Sequence, residues 1–498
     1  MRRSRLGDDT PVLNATRASS CRGRRLATRQ IFSWTTHGAT PRIDLGSKST
    51  HQINSTTALP PGSRPPGDDD VPTPPLPSGA GLSRRTLLGG IGAAGAALLL
   101  AGCAPSGSGG GRTEITFYAT KPEAIPYFSD LVSRFNESQS AVRVIHDSTS
   151  GISAGFVRGN PPDVAAFTYN LEMARFMERG ALSDLGDLPE AATIRPEVQE
   201  LVDQYATYPG RTSVLPYSIT AASVIYNQQI FADLGVEVPT TWDEFLAACD
   251  TFTAAGVTPI YSTFREPWTV AQGLFDYTTG GMLDVAAFYE KMNAEGTSVG
   301  EGGSVSFEKD FREPVERMVQ LAGLSNANRN SRGYGDGNLA MAQGEAAMLM
   351  QGPWALGEIT KANPEAKIGT FPLPMTDDPD DRKVRVNLDL ALWVPQQSRK
   401  QEAAREFLTY LMQPEIHDAY NRDFLAFGTT TSAPAVTDER IVGMQSYYDE
   451  ARFYQGASKA IPLTIPAENY VQGIVTGASA EGTLRTMDAD WRRLALRA

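Results

Sequence analysis

The chain has 498 residues, 41% of them hydrophobic and 20% charged, proportions that exclude wholesale disorder and a polytopic membrane protein and leave room for roughly two or three compact units. Charge is unevenly divided, with a net +7 over residues 1–102 and a net −19 over residues 103–498. An acidic body without a basic stripe interleaved with aromatics excludes nucleic acid as a partner.

Residues 1–80 are rich in Pro, Ser, Thr, Gly and Arg and show no sustained periodicity, so they are expected to be disordered. From Ser83 the sequence reads Ser-Arg-Arg-Thr-Leu-Leu, then an apolar run from Leu87 to Ala101, then Gly102-Cys103. A positive start, a short apolar run and small residues are the order of a cleavable export signal over residues 81–102, and the run is too short to span a bilayer as a helix. The paired arginines resemble a twin-arginine signal. Leu100-Ala101-Gly102-Cys103 resembles a bacterial lipobox, which implies that Cys103 carries lipid and becomes the mature N-terminus. Residues 103–111 then read as a flexible tether. Because such a signal ordinarily opens a translated chain, residues 1–80 are expected to be an over-extended gene model, with translation starting near Val71 or Leu82.

Of the three cysteines, Cys21 precedes the signal and Cys103 is assigned to lipid, so Cys249 has no disulfide partner and is expected in the core. Beyond residue 102 only His146 and His417 remain, which excludes a histidine-rich metal site. No cofactor is expected.

Beyond Arg112 short apolar runs alternate with amphipathic segments, the pattern of βα units around largely parallel sheets. Ile115–Tyr118 is predicted as a strand, and Ile125, Phe128, Leu131, Val132 and Phe135 recur at helical spacing. Val142–Ile145 and Val164–Phe167 are the next strands, and Asn170–Arg179 a helix stopped by Gly180. Thr241-Trp242-Asp243-Glu244 has the spacing of a capping box opening a helix through Ala254. Pro259–Tyr261 reads as a further strand.

Three segments then carry a family likeness: Leu215-Pro216-Tyr217-Ser218, Val224-Ile225-Tyr226-Asn227, and Val238-Pro239-Thr240-Thr241-Trp242-Asp243-Glu244. In this order they resemble extracellular sugar-binding proteins of ABC importers. Gly344-Glu345-Ala346-Ala347-Met348, leading into Gly352-Pro353-Trp354, is similar to a late segment of maltodextrin-binding and related proteins, and the likeness runs from about Ile115 to Trp491. It implies an α/β, periplasmic-binding-protein-like fold of two lobes with a ligand cleft between them. Crossings are expected near Ile219, Asp389 and Ala433, giving lobe one as 112–219 plus 389–432 and lobe two as 220–388 plus 433–498. The implied function is capture without catalysis, by a monomer outside the cytoplasm, of a mono- or oligosaccharide handed to an ABC permease. The alternatives are the same fold holding a polyol, sugar phosphate or polyamine, or a secreted serine hydrolase.

The hydrolase reading rests on Gly151-Ile152-Ser153-Ala154-Gly155, which matches the G-x-S-x-G nucleophile elbow. Its histidine could only be His417, in a segment, Pro414–Tyr420, that reads as a solvated helix. Gly90-Ile91-Gly92-Ala93-Ala94-Gly95 matches G-x-G-x-x-G but falls inside the apolar signal run, with no strand before it. Asp377-Asp378-Pro379-Asp380-Asp381 lacks the spaced ligands of a calcium loop and reads as a solvated acidic turn.

A sugar site needs flat apolar surfaces for ring C–H faces and fixed polar groups for hydroxyls. Ligands in α/β sheets lie beyond the carboxyl ends of strands, which selects Tyr118, Thr120 and Lys121 after the first strand and Tyr169 and Asn170 after Val164–Phe167. Asn170 falls where maltodextrin binders place a sugar-contacting carboxylate. Arg265-Glu266-Pro267-Trp268 resembles the Glu-Pro-aromatic element of that family, and Trp354 its second stacking aromatic, with Gln351 alongside. Asn387 and Asp389 are expected to reach the cleft from the second crossing. Lys121 and Arg265 would make the cleft cationic, welcoming a sugar phosphate and opposing a polyamine.

Overall fold

The computed structural model of the protein describes residues 111–300 and 302–497; the signal, Cys103, the G-x-G-x-x-G string and nearly all of the tether lie outside them. Nine strands are present in the described residues: β1 (Thr113–Tyr118), β2 (Val142–Asp147), β3 (Val164–Phe167), β4 (Leu215–Asn227), β5 (Thr258–Tyr261), β6 (Ala346–Gln351), β7 (Ile368–Phe371), β8 (Val384–Trp393) and β9 (Phe453–Gln455). They join in the order β2-β1-β3-β8-β4-β6-β5, with β7 on β4 and β9 on β8. The β1–β2, β1–β3, β5–β6 and β8–β9 pairs are parallel. The others are antiparallel, so the expectation of largely parallel sheets gives way to a mixed sheet.

β4 holds the two halves together. Its residues Leu215–Ala222 pair with β8, and Ser223–Asn227 pair with β6 and β7. Register shifts between Pro216 and Ile219 interrupt the β8-paired part of the strand, ahead of the change of partners after Ala222. Three apolar clusters follow from this arrangement. One, around Phe117, Phe128, Leu131, Phe135, Leu392 and Phe407, fills the first lobe. A second, around Phe245, Phe252, Phe275, Phe307, Phe311 and Trp491, fills the other. The third lines the crossing, where Ile219, Ile225, Leu349, Val386, Leu388 and Trp393 meet.

Local structure follows the sequence pattern. The helix Ile125–Ser138 buries Phe128, Leu131, Val132 and Phe135 on one face. The helix Trp242–Ala254 starts at Thr241, whose hydroxyl accepts from the Glu244 amide at 3.2 Å. Cys249 lies within it, fully buried, and burial pushes its thiol up to about 12; it is a core residue. The helix Pro414–Asp423, by contrast, is not solvated as expected: Ile416, His417, Tyr420 and Asn421 are buried. Its flanking Glu, Asp and Arg residues conceal a stripe at helical spacing.

A fully buried ion pair stitches β8 to the second lobe. Arg385 Nε donates to Asp276 Oδ2 at 3.0 Å, and both side chains are sealed from solvent. The same carboxylate accepts from the backbone and hydroxyl of Ser458, at 2.7 and 2.9 Å. Removing one partner of such a pair leaves a charge buried without compensation, a cost of about 3–5 kcal/mol. Asp276→Asn is therefore expected to lower the urea midpoint sharply while leaving the slope of the transition unchanged. An unaltered midpoint would show that the pair contributes little.

Candidate functional site

A cleft of about 680 Å³ opens beside the β4–β8 crossing. Lys121, Pro122 and Glu123, after β1, line one wall with Asp423, Phe424 and Leu425. Trp268, Gln272, Tyr334, Trp354 and Glu358 line the other, and Thr220 of β4 and Asp389 of β8 form the floor. One wall is mainly aromatic. The opposing wall and floor carry most of the charge.

The aromatic wall is built from three chain segments. Glu266 does not line the cleft; its Oε2 accepts from the Tyr334 amide at 3.1 Å. Tyr334 is thereby held with its ring 5.2 Å from that of Trp268. Burial, with the fields of Glu358 and Glu123 added, pushes the Tyr334 hydroxyl up. Gln351 is 2% exposed and lies behind the wall. Its Nε2 donates to the Thr269 carbonyl at 3.2 Å, and its Oε1 accepts from Trp354 Nε1 at 3.3 Å. One buried amide thus ties the segment bearing Trp268 to Trp354. Two glycines permit this closeness. A Cβ on Gly273 would run into the Met350 carbonyl oxygen, and one on Gly352 would overlap the Trp354 ring. Gly273 sits in a π-type turn, Ala271–Phe275, with φ −102° and ψ −106°, which widens the helix and accompanies the presentation of Gln272 to the cleft.

The charged side centres on Lys121. Its Nζ donates to both Asp389 oxygens, at 2.9 and 2.8 Å, and lies 3.6 Å from Glu123. Asp389 Oδ2 also accepts from Ser218 Oγ at 3.2 Å and Tyr420 OH at 3.4 Å. The ammonium lies 5.5 Å from the centre of the Phe424 ring. Burial and the Asp389 carboxylate together raise the Tyr420 hydroxyl well above its ordinary range.

Of the residues selected from sequence, Lys121, Trp268, Trp354 and Asp389 are brought together on this cleft. The others serve elsewhere. Tyr118 is buried edge-on against Phe167, its hydroxyl accepting from Thr120 at 3.4 Å. Tyr169 is buried with its hydroxyl toward Met177. Asn170 caps the helix Leu171–Glu178, its Oδ1 accepting from two amides. Arg265 is mostly exposed and pairs with Glu266. Asn387 is half-buried opposite Thr220 on the neighbouring strand. The expected cationic cleft is also reversed: Arg265 is not on its wall, Lys121 is paired, and Glu123, Glu358, Asp389 and Asp423 outnumber it. Tyr334, Phe424 and Gln272 escaped sequence reasoning because only the folded chain brings them to the cleft.

Among the described residues no helix is long and apolar enough to cross a membrane, and no group of three or more His, Cys, Asp or Glu is placed to hold a metal ion. The serine of the G-x-S-x-G string lies within the helix Ile152–Val157 and donates to Glu172. The His417 ring is engaged by Thr429, Asn421 and Asp418. The acidic turn is exposed, and its Asp377 and Asp378 oxygens accept from nearby amides.

Two α/β lobes joined through shared strands, with an aromatic cleft beside the crossing, define a two-lobe solute-binding protein. The family model for the bacterial extracellular solute-binding protein matches residues 119–417, and the chain belongs to that family. Membership places it outside the cytoplasm. The multiple sugar-binding protein of Streptococcus mutans is 25% identical over 336 residues, covering 65% of this chain and 77% of that protein. The melibiose/raffinose/stachyose-binding protein MelE of Bacillus subtilis is 21% identical over 333 residues, 64% of this chain and 75% of its own. Apo RafE from Streptococcus pneumoniae has a similar fold, with a TM-score of 0.68 at 20% identity over 79% of this chain and all of that one. These relatives are binding proteins, which fits capture without catalysis.

The seat of Trp354 depends on the absence of a side chain at Gly352. Gly352→Ala is expected to displace the indole, costing about 1–3 kcal/mol as overpacking does and increasing acrylamide quenching of tryptophan fluorescence. Unchanged quenching and midpoint would mean that the ring has another seat.

Proposed function

We propose that the protein captures a mono- or oligosaccharide in the cleft and presents it to the permease of an ABC importer. One observation carries this reading: Trp268, Tyr334 and Trp354 form an aromatic wall opposite carboxylates and an ammonium in a cleft of about 680 Å³. Indole faces receive the C–H side of a pyranose, and the polar groups opposite receive its hydroxyls. The names of the Streptococcus mutans and Bacillus subtilis relatives support a sugar. So does a RafE structure in complex with raffinose, whose fold this chain shares at a TM-score of 0.63.

In this reading a monomer opens and closes about crossings near Ile219, Asp389 and Ala433, between lobes 112–219 plus 389–432 and 220–388 plus 433–498. Closure requires that ligand bind the closed state better than the open one. Lys121 and Glu123 on one side and Trp268 and Trp354 on the other are the residues that closure would bring onto a bound ring, over the Asp389 floor. The lipobox-like Leu100–Cys103 supports tethering to the membrane surface through lipid on Cys103.

A thermal-shift screen of the soluble domain against neutral saccharides, raffinose and stachyose included, is expected to raise the melting temperature, since binding to the native state alone stabilises it. Trp268→Ala and Trp354→Ala should each weaken the calorimetric affinity for the best saccharide by about 5- to 150-fold, corresponding to about 1–3 kcal/mol of stacking and burial. Trp354 also packs against two apolar clusters, so its removal should lower the denaturant midpoint as well. Stabilisation by a non-sugar solute and by no saccharide would overturn the reading. Cys103→Ser should release the protein from the membrane fraction, because a hydroxyl cannot take the thioether-linked lipid. Wild-type membrane retention would remove the anchor.

A further inference from the structure

If the cleft holds a saccharide, its lining also bears on the charge of that ligand, an inference that rests on the saccharide reading. Among the charged side chains lining the cleft, four are carboxylates, Glu123, Glu358, Asp389 and Asp423, and one is an ammonium, Lys121. Asp423 has its own partner on the rim, Arg422, at 2.9 Å. Lys121 is committed. Both Asp389 oxygens take its hydrogens, Glu123 lies 3.6 Å away, and the Phe424 ring borders its remaining side. The side chains of Lys121 and Asp389 are 16% and 13% exposed, so solvent screens the pair only partly. Asp389 is in turn fixed by Ser218 and Tyr420 and cannot swing aside without breaking those bonds.

We propose that the Lys121–Asp389 pair is a specificity device that makes the cleft select uncharged saccharides over anionic ones, such as uronates and sugar phosphates. A bare lysine in a sugar cleft would attract a carboxylate or phosphate. Here Asp389 cancels that attraction, and Glu123 and Glu358, on opposite walls, add a field that repels an anion. Juxtaposing like charges across an interface is strongly disfavoured, so the discrimination is expected to be on the order of tenfold or more in affinity. It should narrow as salt rises, since the carboxylates are partly exposed. Lys121 then serves as the neutralised partner of Asp389, beside an aromatic ring. Asp389 sets the charge of the site.

The test is a charge-paired calorimetric panel in which glucose, galactose and galactobiose are compared with glucuronate, galacturonate and digalacturonate, with raffinose and stachyose as neutral references. Anionic members are also scored by displacement of the best-bound neutral saccharide. Wild-type protein is expected to bind neutral saccharide and to hold uronates at least about tenfold more weakly. Asp389→Asn, which keeps the shape of the side chain and frees the Lys121 charge, should gain affinity for uronates, most strongly at low salt. The double variant Lys121→Gln with Asp389→Asn should lose that gain, which separates charge from a disturbed fold. A uronate that binds wild-type protein as tightly as its neutral counterpart would overturn the inference while leaving the saccharide function intact. So would an Asp389→Asn variant that folds and binds neutral saccharide without any gain for uronates. Binding by no saccharide of either charge would instead overturn the underlying reading, and the inference with it.

Discussion

The antiparallel pairing of β4 with β8 is the constraint on which everything else in the molecule rests. β4 spends its first eight residues on β8 and its last five on β6 and β7, so the two lobes share a strand and are not strung on a linker. Side chains at the crossing are therefore placed by strands that both cores share. Thr220 and Asp389 are presented as the cleft floor for this reason. The Arg385–Asp276–Ser458 cluster anchors β8 a few residues further along, at a depth where misplacement would strand a charge. On the closure reading, relative motion of the lobes would come from twist and bend within paired strands.

The two sides of the cleft are prepared differently. The aromatic wall is preorganised by partly buried hydrogen bonds: Gln351 holds Trp354, and Glu266 holds Tyr334 against Trp268. The opposite side and floor are organised by charge, with Lys121, Asp389, Ser218 and Tyr420 in one network. Such a division suits a ligand with one apolar and one polar edge. It also lowers the cost of binding, because the groups that would have to be ordered are ordered beforehand.

Much of this was legible in the sequence where the signal was local. The apolar spacing of Phe128, Leu131, Val132 and Phe135 identified a helix, and Thr241 the cap of another, because periodicity and capping are read over a few residues. Trp268 and Trp354 were identifiable because short motifs surround them. Asn170 is ambiguous in sequence, because an Asn following a strand caps the next helix as readily as it faces a ligand, and here its side-chain oxygen accepts from two amides. Lys121 was legible as a cleft residue but not as a neutralised one, since its partner stands 268 positions away. Tyr334 and Phe424 had no local signature at all. Pro414–Asp423 hid its buried face behind the charges around it.

The hydrogen bond from Trp354 Nε1 to Gln351 has a stereochemical consequence. With its only N–H already donated, the indole has no polar group left to offer, and a ring laid upon it is read solely through its face. A pyranose whose C–H bonds cluster on one side can lie flat there. An epimer that turns an axial hydroxyl toward the indole brings a polar group to a surface with neither donor nor acceptor, and burying such a group unpaired is costly. On the saccharide reading, this tryptophan would sort sugars by the configuration of their carbons.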